Sequence, residues 1–292
     1  MKNIIIAVSG TGEVHQYSDP AIDVGMIGEI TKRIEKFQPV DTFETYTLPY
    51  PADYGQNFSY SMSCMMGIKN LTDYLLDHAR EYDNFFIIGY SQGAEVVTHA
   101  LKGLRKIVMD EMEGRFAAEY VLTYKIAGVY LLSNPVRQPG HIDGYDPGGE
   151  GINWGPHVGY WGELKGKVHE YCAQGDIIAS TDPDTTLLKR LGVYTREFNV
   201  REPIKWAEDA RSSLLTLNPF SLYPELRKEL GWIKYLSRWG KSVNQLANYI
   251  ITNVHVKYAT HRINGDDSPL LFDVIASGIR ETGTQQAESA TE

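Results

Sequence analysis

Chemistry in this chain gathers around one serine. In Phe85-Phe86-Ile87-Ile88-Gly89-Tyr90-Ser91-Gln92-Gly93-Ala94, four apolar residues run into a glycine and a serine stands two positions later. A second glycine then opens a helix-like run through Leu101. This is G-x-S-x-G set between a buried strand and a helix. A serine hydroxyl is a weak nucleophile, so it needs a neighbouring base and donors for the negative charge that develops during attack. A sharp turn would hold it clear of the backbone. The helix then returns close to the strand, and Gly89, Gly93 and Ala94 are small enough for that. The first amide of the helix, on Gln92, points back toward the reacting carbon. The same pattern occurs by chance in ordinary strand-turn-helix units, so its meaning depends on partners elsewhere.

In α/β hydrolases those partners follow in the order serine, acid, histidine. Asp176 fits the acid, since it follows an apolar strand on a Gly-Asp turn. A turn aspartate satisfying its own backbone is the structural alternative. Asp182 and Asp184 are further candidates, farther from the strand end. Only His255 and His261 follow Asp176. His255 is preferred because Val254 and Val256 would fix its backbone and Tyr258 could help seat the turn. In this division of labour His255 takes the Ser91 proton and returns it to the leaving alcohol, while Asp176 orients the ring. The loop after the first strand, Ser9-Gly10-Thr11-Gly12-Glu13, would supply the second oxyanion donor, with Thr11 as the candidate through its amide or its hydroxyl. Glycines after strand one also suggest a dinucleotide loop. The third glycine of that pattern would fall at His15 and is missing.

The elements needed to position these groups are legible in the hydrophobic pattern. Ile4 to Val8 reads as a buried strand, Val24 to Phe37 as a helix, and Phe43 to Leu48 as a strand. Ser59 to Tyr82 reads as a long helix whose Met62, Met65 and Met66 fill the core. Asp110 to Glu119 reads as a short polar helix, Lys125 to Leu132 as a strand, and Val168 to Cys172 as the last central strand. Between those two strands lies a long run rich in glycine and aromatics. Residues 136–166 of it are the expected acyl-chain wall, with Trp154 and Trp161 either lining it or packing. The pattern is largely helical over 183–251, with breaks at Asn218-Pro219 and near Gly231 and Gly240. Pro269 to Ile279 reads as a final helix. The expected organisation is one domain over 1–282 with a helical insertion at about 183–251, and a small, polar, disordered tail over 283–292.

Composition agrees with an ordinary soluble globular protein. The chain has 292 residues, 42% hydrophobic and 22% charged. A formal charge of −9 argues against a nucleic-acid backbone as partner. Cys64 and Cys172 are too few for a disulfide framework and read as buried thiols, a single bridge between them being the alternative. No run is long enough to span a membrane, so no stable membrane insertion is expected. The apolar run at the N-terminus is too short for a signal peptide. Production in the cytoplasm, with release by another agent, is expected. No H-E-x-x-H, cysteine pair or phosphate loop is present, so no metal or cofactor is called for.

Gly89-Tyr90-Ser91-Gln92-Gly93 has the form of the elbow in cutinase-like serine esterases of the α/β hydrolases. Ser133-Asn134-Pro135-Val136-Arg137-Gln138-Pro139-Gly140, the Gly175-Asp176 turn and His255-x-x-Tyr258 resemble the lysin B proteins of phages that infect mycobacteria. The resemblance runs from strand one to the histidine loop. It implies a central, mostly parallel sheet flanked by helices, with a helical insertion before the histidine. It further implies an esterase that cleaves mycolic acids from arabinogalactan in the host cell wall, late in phage lysis. Carried over by position, Ser91, Asp176 and His255 are the triad and Thr11 and Gln92 the oxyanion site. Compared with these families, the sequence is expected to have neither the disulfides and signal peptide of secreted cutinases nor the N-terminal wall-binding module of some lysin B proteins. The alternatives are a general cutinase-like lipase or polyesterase, and a wall- or lipid-binding module on a hydrolase scaffold.

Overall fold

Among the described residues, five short segments pair in parallel to form the sheet around which the chain is built. They are β1 (Asn3–Val8), β2 (Phe43–Thr47), β3 (Asn84–Tyr90), β4 (Ile126–Leu132) and β5 (Val168–Tyr171), in the order β2-β1-β3-β4-β5. This computed structural model describes residues 2–36, 43–182, 188, 196 and 224–289. β1 and β3 are buried along their whole length, as expected of strands covered on both faces. Side chains alternate between two cores. Ile4, Ile6, Val8, Phe85 and Ile87 face one, with Leu71 and Leu75 of α2 (Tyr60–Asp77) and Val97 and Leu101 of α3 (Gln92–Met109). Ile5, Ala7, Phe86 and Ile88 face the other, with Ile27, Ile30 and Ile34 of α1 (Gly25–Glu35).

Strand order decides where a site can form. From β1 the chain goes to β2 on one side and later to β3 on the other, so the loops after β1 and β3 diverge. That leaves a crevice at the C-terminal ends of these strands, where open α/β sheets bind ligands. Ser91 follows β3 and Thr11 follows β1, so both stand at this switch point.

Several expected boundaries move. α2 begins where Ser59 accepts a hydrogen bond from the Met62 amide, and it ends at Asp77, not Tyr82. Met62 and Met65 lie on its solvent side, 48% and 62% exposed, and fill no core. The short helix α4 is Arg115–Tyr120, started by Gly114 in a left-handed conformation and followed by one π turn over Val121–Lys125. β5 is an edge strand, not a central one.

Of the insertion expected over 183–251, residues 188, 196 and 224–251 are described and the rest lies outside the described residues, as do Asp184 and Asn218-Pro219. Its last part is one helix, α5 (Pro224–Thr252), which runs through Gly231 and Gly240 unbroken. Each glycine costs a helix only about 1 kcal/mol relative to alanine, too little to end so long a segment. The final helix, α6 (Leu271–Ser289), extends ten residues past Ile279. Its first turns are anchored by Phe272, Ile275 and Ile279 in the second core, and residues 283–289, expected to be disordered, continue that helix.

Candidate active site

The elbow places Ser91 under backbone strain. Its φ is +54° and ψ −119°, a region that a non-glycine residue enters at a cost of about 1–3 kcal/mol and only when its surroundings fix it. Two contacts do so. The Ser91 amide donates to the Leu132 carbonyl of β4 at 3.0 Å, and the Ser91 carbonyl accepts from Ala94. The flanking glycines allow α3 to return against β1. A Cβ on Gly93 would lie 1.9 Å from the Val8 carbonyl oxygen, and one on Gly89 would lie 2.8 Å from Ala94 Cα. Both obstacles are backbone and cannot rotate away. Gly93→Ala is therefore expected to destabilise the chain by about 3 kcal/mol, read as a lowered urea midpoint. A midpoint equal to that of the parent would contradict this packing.

His255 is brought to the serine from the far end of the sequence. It sits in a single 3₁₀ turn, Val254–Val256, after Asn253 ends α5 in a left-handed conformation. Tyr90, the residue before the serine, holds this turn. Its hydroxyl donates to the His255 carbonyl at 2.7 Å, and its ring stacks on the imidazole at 5.3 Å. Of the flanking valines, Val254 packs against the second core and helps hold the turn, whereas Val256 is 54% exposed and does not. His255 Nε2 then lies 2.9 Å from Ser91 Oγ, and Nδ1 lies 3.1 Å from Asp176 Oδ2.

Asp176 is fully buried, and every approach to its carboxylate is a donor. Oδ2 accepts from the Ser133 hydroxyl at 2.5 Å and from the Tyr258 hydroxyl at 2.8 Å, and Oδ1 accepts from the Ile178 amide at 3.1 Å. Burial pushes this carboxyl up. The His255 ring and the Ser133 and Tyr258 hydroxyls outweigh it, and the net direction is down, so the group stays ionised. Tyr258 also accepts from the Ala173 amide at 3.0 Å, which ties the acid turn to the histidine loop.

The alternative partners lie elsewhere. Asp182 pairs with Lys241 at 3.7 Å, and Asp184 falls outside the described residues. His261 is half-buried and is hydrogen-bonded through its backbone to Leu271. Among the described residues it makes no hydrogen bond to Ser91 or Asp176.

Thr11 lines the same cavity as Ser91 and His255. Its hydroxyl donates to Gln92 Oε1 at 3.4 Å, while Gln92 Nε2 donates to the Asp53 carbonyl at 3.1 Å. The Gln92 side chain is thus occupied in fixing the loop, and its amide, the first of α3, has no intrahelical acceptor. The cavity has a volume of about 530 Å³. Its apolar walls come from Tyr54, Ile152, Ile177, Ile178, Leu246 and Val256. Only Ile152 and Asn153 belong to the expected 136–166 wall. Much of that loop is instead fastened by buried Arg137, which donates to the carbonyls of Gly148, Gly149 and Ala179. Trp161 is buried in the first core, and Trp154 packs edge-on against Tyr160, so both are packing residues. One side of the cavity is polar. Glu95, buried one helical turn beyond Ser91, accepts from Tyr60 at 2.8 Å, Asn153 at 3.0 Å and Arg196 of the insertion at 2.5 Å. Cys64 and Cys172 are buried free thiols.

A family model described as Cutinase matches residues 16–189, more than half of the chain. The chain belongs to the cutinase family. It is accordingly a cutinase-like esterase with the α/β-hydrolase fold. The match includes Ser91 and Asp176 and ends before His255. The fold is similar to that of an acetylxylan esterase, at 16% identity over 70% of this chain and 97% of that one, TM-score 0.47. A similar value, 0.46, is found with the catalytic core of the Trichoderma reesei acetylxylan esterase, at 16% identity over 70% and 97%. A cutinase-like protein from Cryptococcus sp. is similar at 19% identity over 68% and 97%, TM-score 0.41. No curated protein matches the sequence.

Three side chains at the site have roles that the sequence pattern does not assign. Ser133 touches both partners of the serine. Its hydroxyl bonds Asp176 and lies 3.0 Å from His255 Nδ1. Tyr90 and Glu13 are the others, each reaching the site through contacts distant in sequence. Ser133, directly after a buried strand, has the only available cue, since strand ends of this sheet face the crevice.

Proposed function

We propose that this chain is a serine esterase in which Ser91 is the nucleophile, His255 the general base and acid, and Asp176 the group that orients the imidazole. The observation that carries the reading is the continuous path from Ser91 Oγ to His255 Nε2 at 2.9 Å, and from Nδ1 to a buried, ionised Asp176 at 3.1 Å, opening on an apolar cavity. His255 removes the hydroxyl proton as Ser91 Oγ attacks the ester carbonyl. The carbonyl oxygen takes the negative charge and is held by the amides of Thr11 and Gln92. Collapse expels the alcohol, which receives the proton from His255 and leaves an acyl group on Ser91. Water, deprotonated in turn by His255, releases the acid and restores the serine.

The substrate we assign is the ester joining mycolic acids to arabinogalactan in a mycobacterial-type cell wall, cleaved during phage lysis at the host envelope. Its support is the likeness of Ser133-Asn134-Pro135-Val136-Arg137-Gln138 and His255-x-x-Tyr258 to lysin B, together with an apolar cavity suited to a long acyl chain. Incubation with purified mycolyl-arabinogalactan, triglycerides and short nitrophenyl esters tests it, with products identified by mass. Release of free mycolic acid is the expected result. Turnover of the simple esters without mycolate release would replace this substrate with a general lipase or polyesterase role. No turnover of any ester would sink the esterase reading itself.

A further inference from the structure

Glu13 ends the loop that carries Thr11, and its carboxylate joins two separate parts of the fold. Oε2 accepts from the Gly10 amide at 2.7 Å, and Oε1 accepts from the Met26 amide at 2.7 Å. Met26 is the second residue of α1, a helix whose own N-cap, Val24, offers no side-chain acceptor. Glu13 therefore caps α1 from the loop that follows β1, with its charge at the favourable end of the helix. The backbone is bare where it enters. Gly25 has φ +63°, and a Cβ there would lie 2.5 Å from the Glu13 carboxyl carbon. A Cβ on Gly10 would lie 2.8 Å from the Tyr90 ring and 3.3 Å from Glu13 Oε2.

These contacts fix Thr11 from both sides. Gly10 is held by Glu13 Oε2, the Glu13 amide returns to the Gly10 carbonyl at 3.2 Å, and the Gly12 amide donates to the Ala52 carbonyl at 2.8 Å. Charge makes the arrangement informative. A carboxylate lining this cavity opposes the negative charge that develops on a substrate carbonyl, so an apolar residue would be electrostatically better there. Burial also pushes the Glu13 carboxyl up, partly offset by the two amides and by His255. What only a carboxylate supplies is an acceptor oxygen for each of two converging amides; glutamine offers one.

We propose that Glu13 is a positioning residue of the oxyanion site, holding the Thr11 amide in place by bridging Gly10 to the start of α1. This rests on Thr11 and Gln92 being the oxyanion donors. The test uses Glu13→Gln and Glu13→Ala in the full chain, with a short nitrophenyl ester as substrate and a trifluoromethyl ketone as a mimic of the oxyanion intermediate. Glu13→Gln keeps one bridge and should lose about tenfold in kcat; Glu13→Ala keeps none and should lose about a hundredfold. KM should stay within about twofold, and the inhibition constant of the ketone should rise in step with the kcat loss. Unchanged kcat in both variants, a raised KM at full kcat, or a kcat loss without weaker ketone binding would each overturn the proposal. Should Glu13→Ala fail to fold, Glu13→Gln decides the matter by the same readouts. Failure of the esterase reading is distinguishable, because the parent chain itself would then show no turnover.

Discussion

Ser91→Ala should lower kcat on a short nitrophenyl ester by about 10⁶-fold, the loss expected when the nucleophile of a coupled triad is removed. The structure makes this a clean substitution. Alanine keeps the Cβ, so the strain at φ +54° is unchanged, and the amide bond to Leu132 is a backbone contact that survives. Only Oγ and its 2.9 Å contact with His255 are lost. The urea midpoint should therefore stay close to that of the parent. Activity above about 1% of the parent, in a preparation free of it, would mean that another group attacks the ester.

Asp176→Asn should lower kcat by about 10⁴-fold, less than the serine variant because the oxyanion donors remain. Asparagine is nearly isosteric, but the donors around Asp176 leave no good orientation for its amide. With oxygen toward Ser133, Tyr258 and His255, the NH₂ faces the Ile178 amide, and two donors oppose each other. With the NH₂ turned toward them, it faces two hydroxyls and favours the wrong imidazole tautomer. Asp182→Asn is the control. That residue pairs with Lys241 at 3.7 Å in partial exposure, so its loss should leave kcat near the parental value.

The acid limb of stability carries the same information. The folded Asp176 carboxyl lies below the ordinary aspartate range, so its contribution is complete above the unfolded value. It is lost as pH falls below that value through the depressed folded one. The parent should therefore lose stability relative to Asp176→Asn as pH is lowered below about 4, read from urea midpoints at successive pH values. A constant difference down to pH 2 would mean that the carboxyl is not held ionised.

Ser91 was legible because its signal is local. The strand, two glycines and a helix lie within a few residues of one another, and each has its own reason to be there. Asp176 and His255 followed from chain order and from their places after elements with clear patterns. Ser133 and Glu13 were not legible in their roles, because those depend on contacts that periodicity does not encode. Ser133 meets Asp176 across 43 positions, and Glu13 meets the start of α1 across 13. The methionines of α2 misled for a related reason. Apolar type predicts burial only on the face that packs, and Met62 and Met65 lie on the other. The ends of α2 and α6 shifted because helix length is set by capping and anchoring as much as by pattern.

Labelling by a fluorophosphonate, followed by intact-protein mass and peptide mapping, tests most directly whether His255 activates Ser91. One phosphonyl group per chain, confined to the peptide containing Ser91 and formed far more slowly in His255→Ala but at the parental rate in His261→Ala, is the expected result. A folded chain whose Ser91 stays unmodified, or is modified equally fast without His255, would contradict it.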